Sequence, residues 1–274
     1  MRISLPARYA AYLLAAASAF VVLFPLLWMF LSAVKTNSDI INPHAPLFPT
    51  RWQWSNIIDA WHAAPFARFF VNTLVFSIVT TLGQIATGMI AGYAFPMFEF
   101  PGRRLLFYAT LSGLMIPFTV VLVPVVQILA SFGWIDTPQG LIVPNLASAL
   151  GAFLYRQFFL GAPAELGEAA RIDGASEWRI FWQIYRPLAQ PMTAALTTIV
   201  FLQNWGNFLF PLVVTNSENL MMISQGLTIF QGQIKGTDYN LLMAGSLIAV
   251  LPVLIVAMAA QRRVIDGLAL GATR

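Results

Sequence analysis

The sequence predicts an all-α, polytopic membrane protein, and three observations support that prediction. Hydrophobic residues make up 58% of the 274-residue chain and charged residues only 9%, while the mean hydropathy is +0.73. Soluble domains contain roughly 25% charged residues, so this chain has too few charges to cover a water-facing surface. The apolar residues also occur in long uninterrupted stretches, as helices that cross a bilayer require.

Six transmembrane helices are predicted from the gaps between charged residues, because a charge at the bilayer centre is costly. Each gap is close to or longer than the ~20 apolar residues that cross a bilayer. The predicted spans are approximately 9–34, 69–95, 105–131, 139–160, 189–214 and 240–261. We expect them to form a single transmembrane domain over residues 1–274. The start of the first span resembles a cleavable signal peptide, but its apolar run continues through Phe30, which favours a retained helix.

The distribution of basic residues predicts that both termini face the cytoplasm of a bacterial cell. With this orientation, eleven of the fifteen Lys and Arg residues lie in inside segments and four in outside segments. Such a positive-inside bias is typical of inner-membrane proteins. The net charge of +4 is spread without a basic run, so no nucleic-acid partner is predicted.

Several functions are excluded by what the sequence lacks. It has no Cys and only two His residues, so we predict no metal site and no thiol chemistry. No phosphate-binding P-loop motif occurs, and the predicted spans hold no acidic or basic residue except Arg156 near one end. Ion-coupled carriers place ionisable groups at mid-membrane. Without a P-loop the chain would not bind ATP by that route, and without ionisable residues in its spans it would not couple to ions. We predict no catalytic residues, and if the chain pumps a solute, the energy would come from another subunit.

One predicted cytoplasmic loop, 161–188, is long enough to dock such a subunit. Its first part has the signals of a short helix, with Pro163 in the first turn and Gly174 just after the end. Ser176 is placed to cap a second short helix, which we expect to end at Pro187. These patterns alone are compatible with a docking element or with an ordinary amphipathic connector.

This loop resembles the EAA signature of membrane subunits of binding-protein-dependent ABC importers. Glu168-Ala169-Ala170 precedes Gly174 by the spacing of that signature, and the run 168–175 resembles its carbohydrate-importer subset. Arg186 stands before Pro187 where the signature usually has leucine, but its core is intact. Further matching blocks are Phe24-Pro25-Leu26-Leu27-Trp28, Ala91-Gly92-Tyr93-Ala94-Phe95, Met115-Ile116-Pro117, Arg156-Gln157-Phe158-Phe159 and Trp205-Gly206-Asn207-Phe208. Their order and spacing resemble the smaller permease of maltose-type systems over almost the whole chain.

The resemblance implies a type I ABC importer permease fold and a non-catalytic subunit that moves a sugar across the cytoplasmic membrane by alternating access. The implied partners are a second permease subunit, two ATPase subunits, an extracytoplasmic sugar-binding protein and membrane lipid. This chain would bind no cofactor, because the partner ATPase would use ATP and Mg²⁺.

In this family the signature loop forms a coupling helix that docks on the ATPase. The resemblance therefore assigns ATPase coupling to Glu165, Glu168, Ala169, Ala170, Arg171, Asp173 and Gly174. We expect the charged members to offer charge-assisted hydrogen bonds and the alanines to permit close approach. Gly174 would permit a left-handed turn that other residues resist.

Two further sets of residues are candidates for contact with cargo or binding protein. Gln203, Asn204 and Asn207 in the fifth span would either line a sugar path or hydrogen-bond to the partner permease. Loop 215–238 is either a flexible connector or, as the resemblance implies, an element that reaches into the binding protein. Its candidate residues are Gln225, Gly226 and Gly232.

Two other functions remain open from the sequence. The cargo of the importer would instead be glycerol phosphate or another polyol derivative, although no cationic side chain is found in the predicted pore. In a different class, the chain would be an ATP-independent channel or facilitator, which would not need the coupling loop.

Overall fold

The computed structural model describes residues 5–232 and 236–272, with side chains described outside 5–7, 10 and 262–272. Helices dominate these residues, which confirms the predicted all-α class. The helices are α1 (Leu5–Ala33), α2 (Asn37–Ile41), α3 (Ser55–His62), α4 (Phe66–Met97), α5 (Arg103–Met115), α6 (Phe118–Ser131), α7 (Pro138–Ile142), α8 (Ala149–Leu160), α9 (Ala164–Ile172), α10 (Glu177–Ile180), α11 (Arg186–Leu188), α12 (Gln190–Trp205), α13 (Leu209–Val214), α14 (Ile223–Gly226) and α15 (Tyr239–Ala272).

Short irregular elements connect the helices. A π-helical turn, Phe181–Tyr185, joins α10 to α11. The 3-10 turns are Val143–Asn145, Glu218–Leu220 and Leu227–Phe230. Two short strands, β1 (Gln231–Gly232) and β2 (Gly236–Thr237), pair antiparallel, with Gln231 opposite Thr237.

Three helical segments of the described chain are long and apolar enough to cross a membrane. They are Ala11–Ala33, Phe66–Met97 and Tyr239–Gln261, and they agree with the predicted spans 9–34, 69–95 and 240–261. Helices α5 and α6 meet the same criterion only as a pair bent by 106°. By length and composition, the described residues thus contain three continuous candidate spans, or four when the bent pair is counted as one span.

The other predicted spans are interrupted by residues that end helices without carrying charge. Ile116 is extended between α5 and α6, because the ring of Pro117 disfavours helical geometry in the preceding residue. Predicted span 139–160 contains a 3-10 turn around Pro144, and predicted span 189–214 breaks after α12 at Gly206. Counting gaps between charges does not show where a helix is interrupted, and each of these three predicted spans consists of more than one helix.

The described residues divide into two compact units, one within 1–67 and 226–251 and one within 68–225 and 252–274. In the first unit, the buried Asn56 side chain holds the segment after α1. Its amide nitrogen donates to the carbonyls of Ala33 (3.0 Å) and Lys35 (2.8 Å). The rings of Phe66 and Phe230 stack in the same unit, with centroids 5.7 Å apart.

The second unit is organised by a close crossing of α4 and α8. A Cβ atom added to Gly88 would lie 3.0 Å from Gly151 Cα, and one added to Gly92 would lie 2.9 Å from the backbone nitrogen of Arg156. Glycines four residues apart let the backbones of membrane helices approach this closely. The crossing fixes the end of α8, which leads directly into the predicted coupling loop.

Candidate functional site

Helix α9 of the coupling loop ends as the sequence predicts. The backbone N–H of Gly174 donates to the Arg171 carbonyl (3.0 Å), and that of Ala175 donates to the Ala170 carbonyl (2.9 Å). This pair of bonds is a Schellman motif. It requires the left-handed backbone that Gly174 adopts, with φ +77°. Apart from Gly174 and its two chain neighbours, no described residue lies within 4 Å of a Cβ placed on Gly174, so this corner of the loop is sterically open.

One face of α9 is exposed along its whole length. Glu165, Glu168, Ala169 and Ile172 are all exposed, and their spacing of three, four and seven residues places them on one side of the helix. Ile172 is 86% exposed, so this face presents an apolar side chain beside two carboxylates. Sequence reasoning did not select Ile172, although helical periodicity from Glu165 would have found it. We call these four residues the α9 stripe.

The opposite face of α9 packs against its own chain. Gly167 is buried, and a Cβ added there would lie 2.8 Å from the hydroxyl oxygen of Tyr185. Ala170 is half-buried and packs against the apolar core cluster that contains Tyr185. Ala170 therefore packs α9 onto its own chain. Ala169 is exposed, as expected for a docking residue.

Arg171 is paired within the loop. Its guanidinium binds the Glu177 carboxylate through two hydrogen bonds, Nε to Oε1 at 2.5 Å and Nη2 to Oε2 at 3.1 Å. These bonds lower the pKa of Glu177 and raise the pKa of Arg171. The pair links α9 to α10, and Glu177 is a loop residue that the signature alone did not indicate. Asp173, the C-cap of α9, is exposed beside it.

The second half of the loop forms the surface on which α9 lies. Ser176 caps α10 by accepting a hydrogen bond from the backbone of Arg179 (3.3 Å), as predicted. The helix does not end at Pro187. It continues through α11 because a π-helical turn closes with a bond from the Arg186 N–H to the Phe181 carbonyl. Pro187 then occupies a first-turn position, where its missing N–H costs little.

Aromatic rings connect this surface to the membrane helices. The Tyr93 ring of α4 lies 4.9 Å from that of Phe181 and 5.3 Å from that of Tyr185. Phe159 of α8 lies 5.4 Å from Tyr93 and 6.1 Å from Tyr185. Burial raises the pKa of Tyr185, so its phenol stays neutral. We call Tyr93, Phe159, Phe181 and Tyr185 the aromatic cluster; it joins the loop to the ends of α4 and α8.

The polar residues of the predicted fifth span are not gathered into one site. Asn204 is buried, and its amide nitrogen donates to Thr81 Oγ1 (3.1 Å) and Gln84 Oε1 (3.4 Å) of α4. Gln203 is exposed. Asn207 is half-buried, and its carbonyl accepts a hydrogen bond from the Ser224 hydroxyl (3.1 Å). Asn204 therefore binds helices of this chain together, which leaves Gln203 as the accessible member.

The candidate residues of loop 215–238 also differ in exposure. Gln225 is buried, donates to Thr215 Oγ1 (2.9 Å) and accepts from the Met222 N–H (2.8 Å). Gly226 is buried as well. Gly232 is exposed in β1, where a Cβ would lie 2.9 Å from the Gly236 carbonyl oxygen. Gln225 thus fixes the fold of the loop, and Gly232 is the exposed member of the three.

The start of this loop is held by a carboxylate. Asp136 Oδ1 accepts hydrogen bonds from the N–H groups of Asn216 and Ser217, both at 3.0 Å. These backbone donors lower the pKa of Asp136. Asn72 of α4 donates to the carbonyls of Asn219 (2.8 Å) and Met221 (2.9 Å). The described part of loop 215–225 is therefore packed against its own unit and is not a free connector.

No group of three or more His, Asp or Glu residues in the described part of the chain is placed to hold a metal ion. The candidate site thus consists of an exposed helix face, a paired Arg171 and Glu177, and an aromatic connection to two helices. This arrangement can transmit a movement between a partner protein and the membrane helices.

Comparison with known proteins assigns this architecture to a family. A family model described as the inner membrane component of binding-protein-dependent transport systems matches residues 84–269. The chain belongs to this family. It is a non-catalytic membrane permease subunit of an ABC importer, as the coupling-loop signature predicted.

Similar permeases match over nearly their whole length. The sn-glycerol-3-phosphate transport system permease protein UgpE of Yersinia enterocolitica is 35% identical over 254 residues, covering 90% of each chain. The diacetylchitobiose uptake system permease protein NgcG of Streptomyces coelicolor is 34% identical over 258 residues, covering 93% of this permease and 85% of the relative.

Solved structures confirm the fold of the permease. A chain of a bacterial ABC transporter that imports the acidic polysaccharide alginate superposes with a TM-score of 0.83 at 19% identity, covering 96% of this permease and 99% of that chain. A chain of the methionine ABC transporter MetNI superposes with a TM-score of 0.57 at 22% identity, covering 74% and 95%. The predicted type I importer permease fold is therefore confirmed.

Proposed function

We propose that this permease imports a sugar, mono- or oligosaccharide, by alternating access driven by a separate ATPase. The observation that carries the proposal is the α9 stripe, the exposed face of a helix whose opposite face packs on Tyr185 of the aromatic cluster. A displacement of α9 by a closing ATPase would pass through Tyr185 and Phe181 to α4 and α8. Such rigid-body transmission between two states is how ligand binding at one site changes another.

The proposed assembly includes a second permease subunit, two ATPase subunits and an extracytoplasmic sugar-binding protein. In it, residues 1–274 act as one permease domain with both termini in the cytoplasm. Glu165, Glu168, Ala169, Ile172 and Gly174 would meet the ATPase, which binds the ATP and Mg²⁺. Gly232 would approach the binding protein, and Gln203 would face the sugar path.

A sugar is favoured as cargo because the accessible polar candidates of the predicted fifth span are neutral. Amides such as Gln203 pair with hydroxyl groups, whereas a phosphate ester is commonly bound by arginine. Glycerol phosphate is the second candidate, since several similar permeases carry that name, including one at 37% identity over 254 residues from Pectobacterium atrosepticum.

Reconstitution of the co-purified complex in lipid vesicles tests the function. We expect a second permease and an ATPase to purify with the tagged chain, and ATP hydrolysis to rise when a loaded sugar-binding protein is added. Uptake of radiolabelled sugars and of glycerol 3-phosphate would be compared in the same vesicles. Solute flux by the chain alone, without ATP, would contradict the proposal.

The pairing of Arg171 with Glu177 predicts a charge-exchange result. Arg171→Glu places two carboxylates together and should reduce binding-protein-stimulated ATP hydrolysis. Adding Glu177→Arg restores an ion pair with the two charges exchanged. An exposed ion pair contributes about 0.2–1 kcal/mol to stability whichever partner is the cation. The double variant should therefore recover most of the ATP hydrolysis. If the double variant stays as inactive as Arg171→Glu, then Arg171 acts by contacting the ATPase and not by holding the loop.

A further inference from the structure

A pocket of about 250 Å³ lies at the ends of α4, α5 and α8, close to the aromatic cluster but outside it. It is lined by Phe95, Arg103, Arg104, Phe107, Tyr108 and Arg156. Half of the lining residues are arginines, in a chain where only 9% of residues are charged. Neither the coupling mechanism nor the sugar path uses these side chains.

The positive charge of this arginine pocket is not neutralised within the described residues. No carboxylate there lies within 4.0 Å of the three guanidinium groups, the only described ion pair being that of Arg171. Glu99 lines an adjoining hollow with Arg103 and Arg104 without reaching ion-pair distance. Grouping three like charges beside a membrane is unfavourable unless an anion joins them.

Apolar contacts hold the arginines in place around the pocket. The Arg156 guanidinium carbon lies 4.0 Å from the ring centroid of Phe107, and Phe107 in turn packs edge-on against Phe95 at 5.3 Å. Arg103 Nη1 donates to the Phe98 carbonyl at 3.0 Å. The cation–π contact and this hydrogen bond orient two of the three guanidinium groups without neutralising them.

The chemistry that fits this pocket is a phosphate group. Guanidinium groups bind phosphate oxygens with paired hydrogen bonds. Helix α5 begins beside the pocket with Gly102 as its N-cap and no side-chain cap, so the positive end of its dipole adds to the attraction. A pocket of this volume is small for a ligand site and suits a headgroup better than a whole substrate.

The surroundings of the pocket favour a lipid as the source of the phosphate. Leu105 is 73% exposed, Leu106 54% and Tyr108 65% on the same stretch of α5, an apolar surface for acyl chains. Tyr93, two residues before Phe95, contacts the coupling loop, so the pocket lies at the coupling-loop end of α4. Basic pockets between membrane helices on the cytoplasmic side bind anionic headgroups.

We propose that Arg103, Arg104 and Arg156 bind the phosphate of an anionic membrane lipid at the coupling-loop side of the bilayer. The bound headgroup would fasten the ends of α4, α5 and α8 together, next to the aromatic cluster that carries the coupling movement. The site is independent of the identity of the cargo.

Lipid titration of the intact complex tests the proposal. The full-length chain, purified in detergent with its co-extracted subunits, is titrated with phosphatidylglycerol, and bound lipid is counted by native mass spectrometry. We expect affinity to fall about fivefold for each arginine removed, first in Arg104→Gln and further in Arg104→Gln/Arg156→Gln. The Arg104 side chain is exposed and makes no hydrogen bond to the described residues, so the single variant should fold. Arg51→Gln, an exposed arginine of the other unit, is the matched control.

Two ligand controls separate the possible sources of phosphate. Phosphatidylcholine carries a phosphate without net charge, and binding as tight as that of phosphatidylglycerol would contradict an anionic-lipid site. Inorganic phosphate tests for a free anion. If it displaces phosphatidylglycerol at equal concentration, the pocket serves a soluble phosphate and the lipid assignment is overturned. An equal loss in Arg51→Gln would show that only the general positive charge matters.

Discussion

Gly174→Asp is expected to reduce ATP-driven transport at least tenfold while the subunit still inserts into the membrane and assembles. The Schellman motif at the end of α9 needs the left-handed backbone of Gly174, which costs other residues roughly 1–2 kcal/mol, although less for Asp. The new carboxylate would also project from an open corner beside Asp173, where we place the ATPase. A change of about 1.4 kcal/mol in docking is already tenfold in affinity.

Uptake into vesicles and ATP hydrolysis stimulated by the binding protein are the two measurements. Gly133→Asp is the matched control because Gly133 also has a positive φ, +68°, and none of the non-adjacent residues that the structure describes lies within 4 Å of an added Cβ. It lies between α6 and α7, away from the coupling loop. If both variants lose transport equally, backbone strain is the cause. Normal coupling in Gly174→Asp would refute the docking assignment.

The second large effect is expected from Gly92→Ala, which should destabilise the folded subunit. A Cβ at Gly92 would lie 2.9 Å from the Arg156 nitrogen and 3.0 Å from the Ala152 carbonyl oxygen. These are backbone atoms, so no side-chain rotation relieves the crowding, and α4 and α8 must separate. Overpacking of this kind costs about 1–3 kcal/mol, which should lower the thermal unfolding temperature by several degrees.

Gly113→Ala provides the reference for this measurement. Gly113 lies in α5 with no atom within 4 Å of an added Cβ, so the substitution gains only the helix propensity of alanine, about 1 kcal/mol. The difference between the two variants, measured by thermal unfolding in detergent, reports the crowding at the α4–α8 crossing. Equal stability of the two would show that the helices adjust to the added methyl group.

Local sequence signals predicted the coupling loop well. The end of α9 at Gly174 and the cap at Ser176 depend on residues within one turn, and the structure reproduces both. Composition likewise predicted the all-α membrane class. Predicting these features does not require knowing which distant segments contact each other in the fold.

Features that depend on tertiary contacts were not predictable in the same way. Hydropathy and charge gaps are insensitive to Pro117 and Gly206, so they predicted three spans without the positions at which the helices are interrupted. Ala170 and Gln225 are of the expected residue types, but whether they face a partner or the interior depends on the packing of distant segments. Glu177 lies outside the short signature, and its pairing becomes evident only when α9 and α10 are placed together.

The shortness of α9 has a consequence for inhibitor design. Its nine residues fall below the ~12–15 at which an isolated helix becomes even marginally stable in water. The order of α9 therefore depends on Tyr185 beneath it and on the Arg171–Glu177 pair beside it. A linear peptide copied from 164–175 would lack that platform and lose its shape in solution. A peptide inhibitor that competes with α9 for the ATPase would need a covalent cross-link between its side chains. Alternatively, it would need a scaffold that replaces the contact of α9 with Tyr185.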